Sequence, residues 1–143
     1  KIMKTNFILI MLIFLSLVSC KDNNKEQSAQ EIKRMGMVTG IKPDKIEYYK
    51  QLHAKAWPSI LKKITECNIK NYSIYLQKIG DNYFLFSYFE YTGIDFEKDM
   101  KKMAADSNTQ RWWKLTDPTQ IPLPEAAAKK QVWTNMEEVF HSN

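Results

Sequence analysis

The stretch from Tyr83 to Tyr91, Tyr-Phe-Leu-Phe-Ser-Tyr-Phe-Glu-Tyr, restricts the fold more than any other segment of the chain. Read as a strand, it sets Phe84, Phe86 and Tyr88 on one face and Tyr83, Leu85 and Phe89 on the other, so both faces must be covered from water. Before it, Gly80-Asp81-Asn82 supplies a turn. Upstream of that turn, Ile69 to Lys78 alternates, with Tyr72, Ile74 and Leu76 facing one way and Asn71, Ser73, Tyr75 and Gln77 the other. These three pieces predict a hairpin within a sheet that is buried on both sides.

The remaining elements can be placed around it. Met35 to Ile41 is a short apolar strand that runs into Pro43-Asp44, a helix start. From Asp44 to about Glu66, Ile46, Tyr49, Trp57, Ile60 and Ile64 recur at helical steps, and Pro58 implies a kink or restart near Trp57 because it lacks an amide hydrogen. Asp95 to Ala105 reads as a helix, and Ser107 to Leu115 as a shorter one capped by its serine. Asp117 to Leu123 is irregular and proline-rich, and Val132 to Phe140 is a closing strand. The order strand, helix, strand, strand, helix, strand defines an α+β class of ferredoxin-like β-α-β-β-α-β type. The two helices of that arrangement can cover only one sheet face. A second copy of the chain is the economical cover, which makes the expected assembly a homodimeric α/β barrel.

Residues 1–19 stand apart from this domain. Lys1 and Lys4 precede an apolar run from Phe7 to Leu15, which ends at Leu17-Val18-Ser19-Cys20 and meets the polar Lys21-Asp22-Asn23-Asn24. The run is shorter than the roughly 20 apolar residues of a spanning helix. Leu-Val-Ser-Cys resembles the lipobox of bacterial lipoproteins, which implies that Cys20 is acylated and the chain is cut before it. The alternatives are a plain secretory peptide or an uncleaved anchor, and each of these also exports the protein. Residues 20–33 hold Gln, Ser, Asn, Lys and Glu without aromatics and read as a disordered tether, leaving 34–143 as the folded domain. The expected location is a bacterial membrane, on its periplasmic or outer face.

Charge and cysteine usage narrow the function classes. The formal net charge of +5 includes Lys1 and Lys4 of the leader, and the lysines elsewhere are scattered, so nucleic acid is a poor partner. With Cys20 acylated, Cys67 is the remaining thiol, which rules out an intrachain disulfide and a cysteine metal cluster; no metal or cofactor is expected.

Chemistry near neutral pH must come from a short list, because the domain contains two histidines, His53 and His141. His141 lies near the end of the sequence, where solvation is the simpler reading. Tyr49, His53 and Trp57 stand at i, i+4 and i+8, a phenol, an imidazole and an indole on one helical face. Taken alone, that pattern also suits a core histidine. The adjacent Trp112 and Trp113 diverge by about 100 degrees on a helix, so at least one should line a cleft rather than the core. Aromatic plates beside hydroxyl and imidazole groups suit sugars, whose C–H faces are apolar and whose rims need hydrogen bonds.

From Met37 to Phe140 the chain resembles the L-rhamnose mutarotase family. The likeness is carried by Tyr49-Lys50-Gln51-Leu52-His53 with Trp57-Pro58, by Asn71-Tyr72-Ser73-Ile74-Tyr75-Leu76, by Gln110-Arg111-Trp112-Trp113-Lys114 and by Glu138-Val139-Phe140. The resemblance implies a dimeric ferredoxin-like barrel, His53 as proton donor, and Tyr49, Tyr72, Trp112 and Trp113 as residues that hold the sugar. Two departures bear on which sugar fits. The Asn-Pro-Ile that members tend to carry after the histidine is Ala54-Lys55-Ala56 here, and His141 replaces a tyrosine common after Glu-Val-Phe.

The implied reaction interconverts the α and β anomers of a deoxyhexose such as L-rhamnose or L-fucose by ring opening, rotation about C1–C2 and reclosure. It needs one group that protonates the ring oxygen and one that takes the anomeric hydroxyl proton. His53 is the expected donor; Tyr72 or an ordered water are both allowed for the second transfer. Two other classes fit parts of the pattern: a lipid-anchored sugar-binding protein without turnover, and an oxygenase on the same barrel architecture.

Overall fold

The computed structural model describes residues 31–142. The leader over 1–19, Cys20 and most of the 20–33 tether lie outside the described residues, and Lys33 already opens the first strand. That strand, β1 (Lys33–Ile41), runs antiparallel to β3 (Asn82–Tyr91) along its whole length, from Lys33 opposite Tyr91 to Ile41 opposite Tyr83. On the other side of β3 lies β2 (Ile69–Ile79), also antiparallel. Gly80, at φ +59, takes the first position of the two-residue hairpin connection, a conformation in which a side chain would be strained.

The β2–β3 register slips between Lys70 and Ser73. Asn71 absorbs the slip at φ +50, and its amide donates to Glu90 Oε2 at 2.7 Å. Strict alternation would send residues three apart to opposite faces. The bulge instead lets both Ile69 and Tyr72 face the helices.

The sheet order is β2-β3-β1-β4, with a fifth strand also paired to β1. This is the ferredoxin-like arrangement with its last strand in two pieces. β4 (Gln120–Ile121) pairs with Ile41 and Gly40, and β5 (Thr134–Met136) pairs with Val38, Met37 and Gly36. Residues 122–133 leave the sheet between the two pieces and include the short helix α5 (Pro124–Ala128). The closing strand is therefore not the run from Val132 to Phe140 that alternation suggests, and the segment after Asp117 is not wholly irregular: a one-turn 3-10 helix at Asp117–Thr119 feeds β4. Pro122 and Pro124 cannot donate to a ladder, which forces the chain out of the sheet there. Thr39, 0% exposed, closes the gap, its hydroxyl donating to Val132 O at 2.8 Å and lying 3.4 Å from Ile121 O.

The helical segment expected over 44–66 is two helices, α1 (Ile46–Ala54) and α2 (Pro58–Glu66). Pro58 restarts the chain at the first position of α2, where its missing N–H has no partner to lose. α3 (Phe96–Ala105) is capped by Asp95, which accepts from Lys98 N at 3.0 Å. α4 (Ser107–Thr116) is capped by Asp106, not by Ser107: the aspartate accepts from Thr109 N at 2.9 Å and reaches one residue further back than the expected serine cap.

The helices cover one side of the sheet. Ile41, Tyr49 and Leu85 form one buried cluster with Ile46, Ile74, Tyr83 and Trp133 around it. Ile69, Phe89 and Tyr91 form a second beneath Ile64, Phe96, Met100 and Met103. On the opposite side, Val38, Phe84, Phe86 and Tyr88 are half-buried and Tyr75 is exposed. Both faces of β3 are apolar, and only one lies under helices.

Candidate functional site

Between the two clusters the helices stand off the sheet and leave a cavity of about 1390 Å³, ample for a monosaccharide with water. Tyr49, His53, Tyr72, Trp112 and Trp113, the five residues singled out in the sequence, all line it. α1 supplies the first two on one face, the β2 bulge delivers Tyr72, and α4 supplies the indoles.

His53 is held by its own helix. Its Nδ1 lies 2.9 Å from the carbonyl oxygen of Tyr49, one turn earlier. A carbonyl oxygen only accepts, so Nδ1 keeps its proton in both charge states of the ring, and Nε2 is the nitrogen that gains a proton in the imidazolium and can give it up in the cavity. The Tyr49 ring rests against the imidazole with centroids 4.1 Å apart, and Trp112 meets it edge-on at 5.3 Å. Trp112 also meets Trp57 edge-on at 5.4 Å, and the Arg111 guanidinium lies over Trp57 at 5.1 Å. The two adjacent indoles do diverge. Trp112 is buried against this aromatic stack, whereas Trp113 stands half out of the protein at the cavity mouth.

Burial sets the protonation states. It pushes His53 below the ordinary imidazole value, with the bond to Tyr49 O acting in the opposite direction. Burial raises Tyr49, helped by the nearby Tyr72 and by the charge of Asp117. Tyr72 is 40% exposed as a residue, yet the surroundings of its phenol raise it to about 12. Both phenols therefore stay protonated near neutrality and can donate to sugar oxygens. Asp117 is raised too, by burial, against the Thr116 hydroxyl that favours its charged form.

Sequence reasoning missed Asp117, Gln120 and Trp133, which also line the cavity. The first was legible: Asp117 follows Trp113 at i+4, one turn along the same helix face. Trp133 was not, because it reaches the cavity only through the excursion of residues 122–133. Among the described residues, no three His, Cys, Asp or Glu side chains gather as a metal centre requires.

An α+β domain of ferredoxin-like topology, with a half-buried imidazole among indoles and phenols in one cavity, is a small-molecule scaffold whose lining suits a sugar. A family model described as L-rhamnose mutarotase matches residues 34–142. An L-rhamnose mutarotase of Oceanobacillus iheyensis is 34% identical over 110 residues, covering 77% of this chain and 98% of its own. One from Bacillus subtilis is 34% identical over 87 residues, covering 61% and 79%. Among solved structures, an L-rhamnose mutarotase from Formosa agariphila shares the fold with a TM-score of 0.59 at 20% identity, over 78% of this chain and 99% of its own. The chain belongs to the L-rhamnose mutarotase family.

Proposed function

We propose that the protein interconverts the α and β anomers of a deoxyhexose, with L-rhamnose or L-fucose as substrate, by acid- and base-assisted ring opening. One observation carries this reading: His53, tied through Nδ1 to Tyr49 O, keeps Nε2 for a cavity walled by Tyr49, Tyr72, Trp112 and Trp113. Trp113 stacks on the apolar C–H face of the pyranose, and the phenols of Tyr49 and Tyr72 bind its hydroxyls. His53 delivers a proton to the ring oxygen while a second group takes the proton of the anomeric hydroxyl, C1–O5 opens to the aldehyde, and reclosure on the other face of C1 returns both protons.

Two features support a setting for the enzyme. The lipobox-like Leu17-Val18-Ser19-Cys20 supports export and anchoring through an acylated Cys20 on the periplasmic or outer face of a bacterial membrane. The open aromatic sheet face, with Val139 and Phe140 of the C-terminal arm 91% and 83% exposed, supports a homodimer in which a second copy covers it.

Saturation-transfer NMR between the anomeric protons of a sugar panel tests the reaction, with His53→Ala beside the wild type. Exchange by the wild type and its loss in the variant supports the reading. Binding without exchange in the wild type favours the sugar-binding alternative, and equal exchange in both proteins removes His53 from the mechanism.

A further inference from the structure

We infer that Asp117 is the second proton-transfer group of this site, the carboxylate that takes the proton from the anomeric hydroxyl while His53 protonates the ring oxygen. The inference rests on the mutarotase reading and supplies the partner that reading leaves unnamed.

Among the described residues lining the cavity, Asp117 is the single carboxylate. It ends α4, its backbone N–H donating to Trp113 O, so the helix that presents both indoles also presents this group one turn on. At about 1.5 Å per residue it lies about 7.5 Å along the axis from Trp112, a separation of the order of one pyranose ring. Trp112 in turn touches His53, and the charge of Asp117 is felt at Tyr49 on the facing helix. A sugar in the cavity thus meets both an imidazole and a carboxylate along its walls.

The carboxylate is not committed elsewhere. Among the described residues it makes no ion pair, and its contact with the Thr116 hydroxyl is long, 3.5 Å, because that hydroxyl also lies 3.3 Å from Trp112 O. The neighbouring Lys42 Nζ donates instead to Pro118 O at 2.7 Å. Beside Asp117, Gln120 is 6% exposed and lines the same cavity, and its Oε1 is buried without a partner. The phenols are the poorer bases, since both resist ionisation.

The step balances without a co-reactant. The O1–H proton passes to Asp117 as its electron pair forms C1=O1, C1–O5 breaks, and O5 takes the proton on His53 Nε2. After rotation about C1–C2, O5 attacks the other face of C1 and returns its proton to His53, while Asp117 returns the other to O1. The working pair carries one proton in all, so exchange peaks between the two pKa values, with an acid limb from Asp117 and an alkaline limb from His53. The other ionisable groups lining the cavity are Tyr49, Tyr72, Lys50, Lys63 and Lys70, with Lys50 held by Glu47 at 2.8 Å and Lys63 by Glu66 at 2.9 Å and Asp106 at 3.4 Å.

The test measures anomer exchange of L-rhamnose from acid to alkaline pH, and sugar affinity by calorimetry, for wild type, Asp117→Asn and Asp117→Glu. Amide NMR spectra confirm that each variant is folded. The expected result is an exchange rate for Asp117→Asn lower by about 100-fold or more, loss of its acid limb, affinity within about threefold, and partial recovery in Asp117→Glu. An active wild type with Asp117→Asn within about threefold of it, or with its acid limb intact, overturns the assignment alone. A wild type that exchanges no deoxyhexose overturns the mutarotase reading and this assignment together.

Discussion

The imidazole of His53 and the carbonyl oxygen of Tyr49 meet at 2.9 Å across a single helical turn, and that contact decides which ring nitrogen faces the cavity. Removing the imidazole should abolish exchange without emptying the pocket. For His53→Ala we expect the exchange rate to fall by about 10²- to 10⁴-fold, with sugar affinity changed far less. Saturation transfer and calorimetry on the same samples check both halves.

The same burial links His53 to stability. Its folded pKa lies below the ordinary value of 6.5, so the unfolded chain takes up the proton first as pH falls. The contribution of His53 is fully present above that value and is lost as pH drops through it toward the lowered folded pKa. Urea midpoints measured across this window should decline in the wild type and decline less in His53→Gln. Parallel curves for the two proteins would contradict the assignment.

Neighbouring indoles should separate structure from binding. Trp112 is buried against His53 and Trp57, so Trp112→Ala should cost about 3–5 kcal/mol of stability. Trp113 is exposed at the cavity mouth, and Trp113→Ala should leave the denaturation midpoint nearly unchanged while weakening sugar binding about tenfold. Denaturant titration and calorimetry distinguish the two.

Thr39 ties the two pieces of the split strand together. Thr39→Val keeps the shape and removes the hydroxyl, leaving Val132 O without its donor at a cost of about 1–3 kcal/mol. Hydrogen exchange should then quicken in residues 122–136 before the rest of the sheet, and sugar affinity should fall because Val132 and Trp133 line the cavity.

The aromatic sheet face carries the assembly prediction. Phe86→Asp, which leaves the helix-facing core untouched, should convert a dimer into a folded monomer in sedimentation experiments. A wild type that sediments as a monomer would remove the second copy from the account.

Much of this was written in local pattern. Two apolar faces on β3 demanded two covers, the i, i+4 spacing of Tyr49 and His53 set them on one face, and Pro58 marked the restart of the helix. Such signals are legible because strand alternation and helical periodicity depend on near neighbours in the chain. Other features depend on partners far away in sequence. Gln120–Ile121 is too short to show a period and becomes a strand only because Gly40 and Ile41 offer their open edge. Asp106 displaced Ser107 as cap through the backbone turn at the helix start. The bulge at Asn71, the excursion that brings in Trp133, and the gathering of Asp117 and His53 in one cavity are likewise settled by how sheet and helices meet. The sequence by itself determined which side chains share a helix or strand face; tertiary packing alone decided which of those faces confront one another, because distances between elements are set by close packing and not by local periodicity.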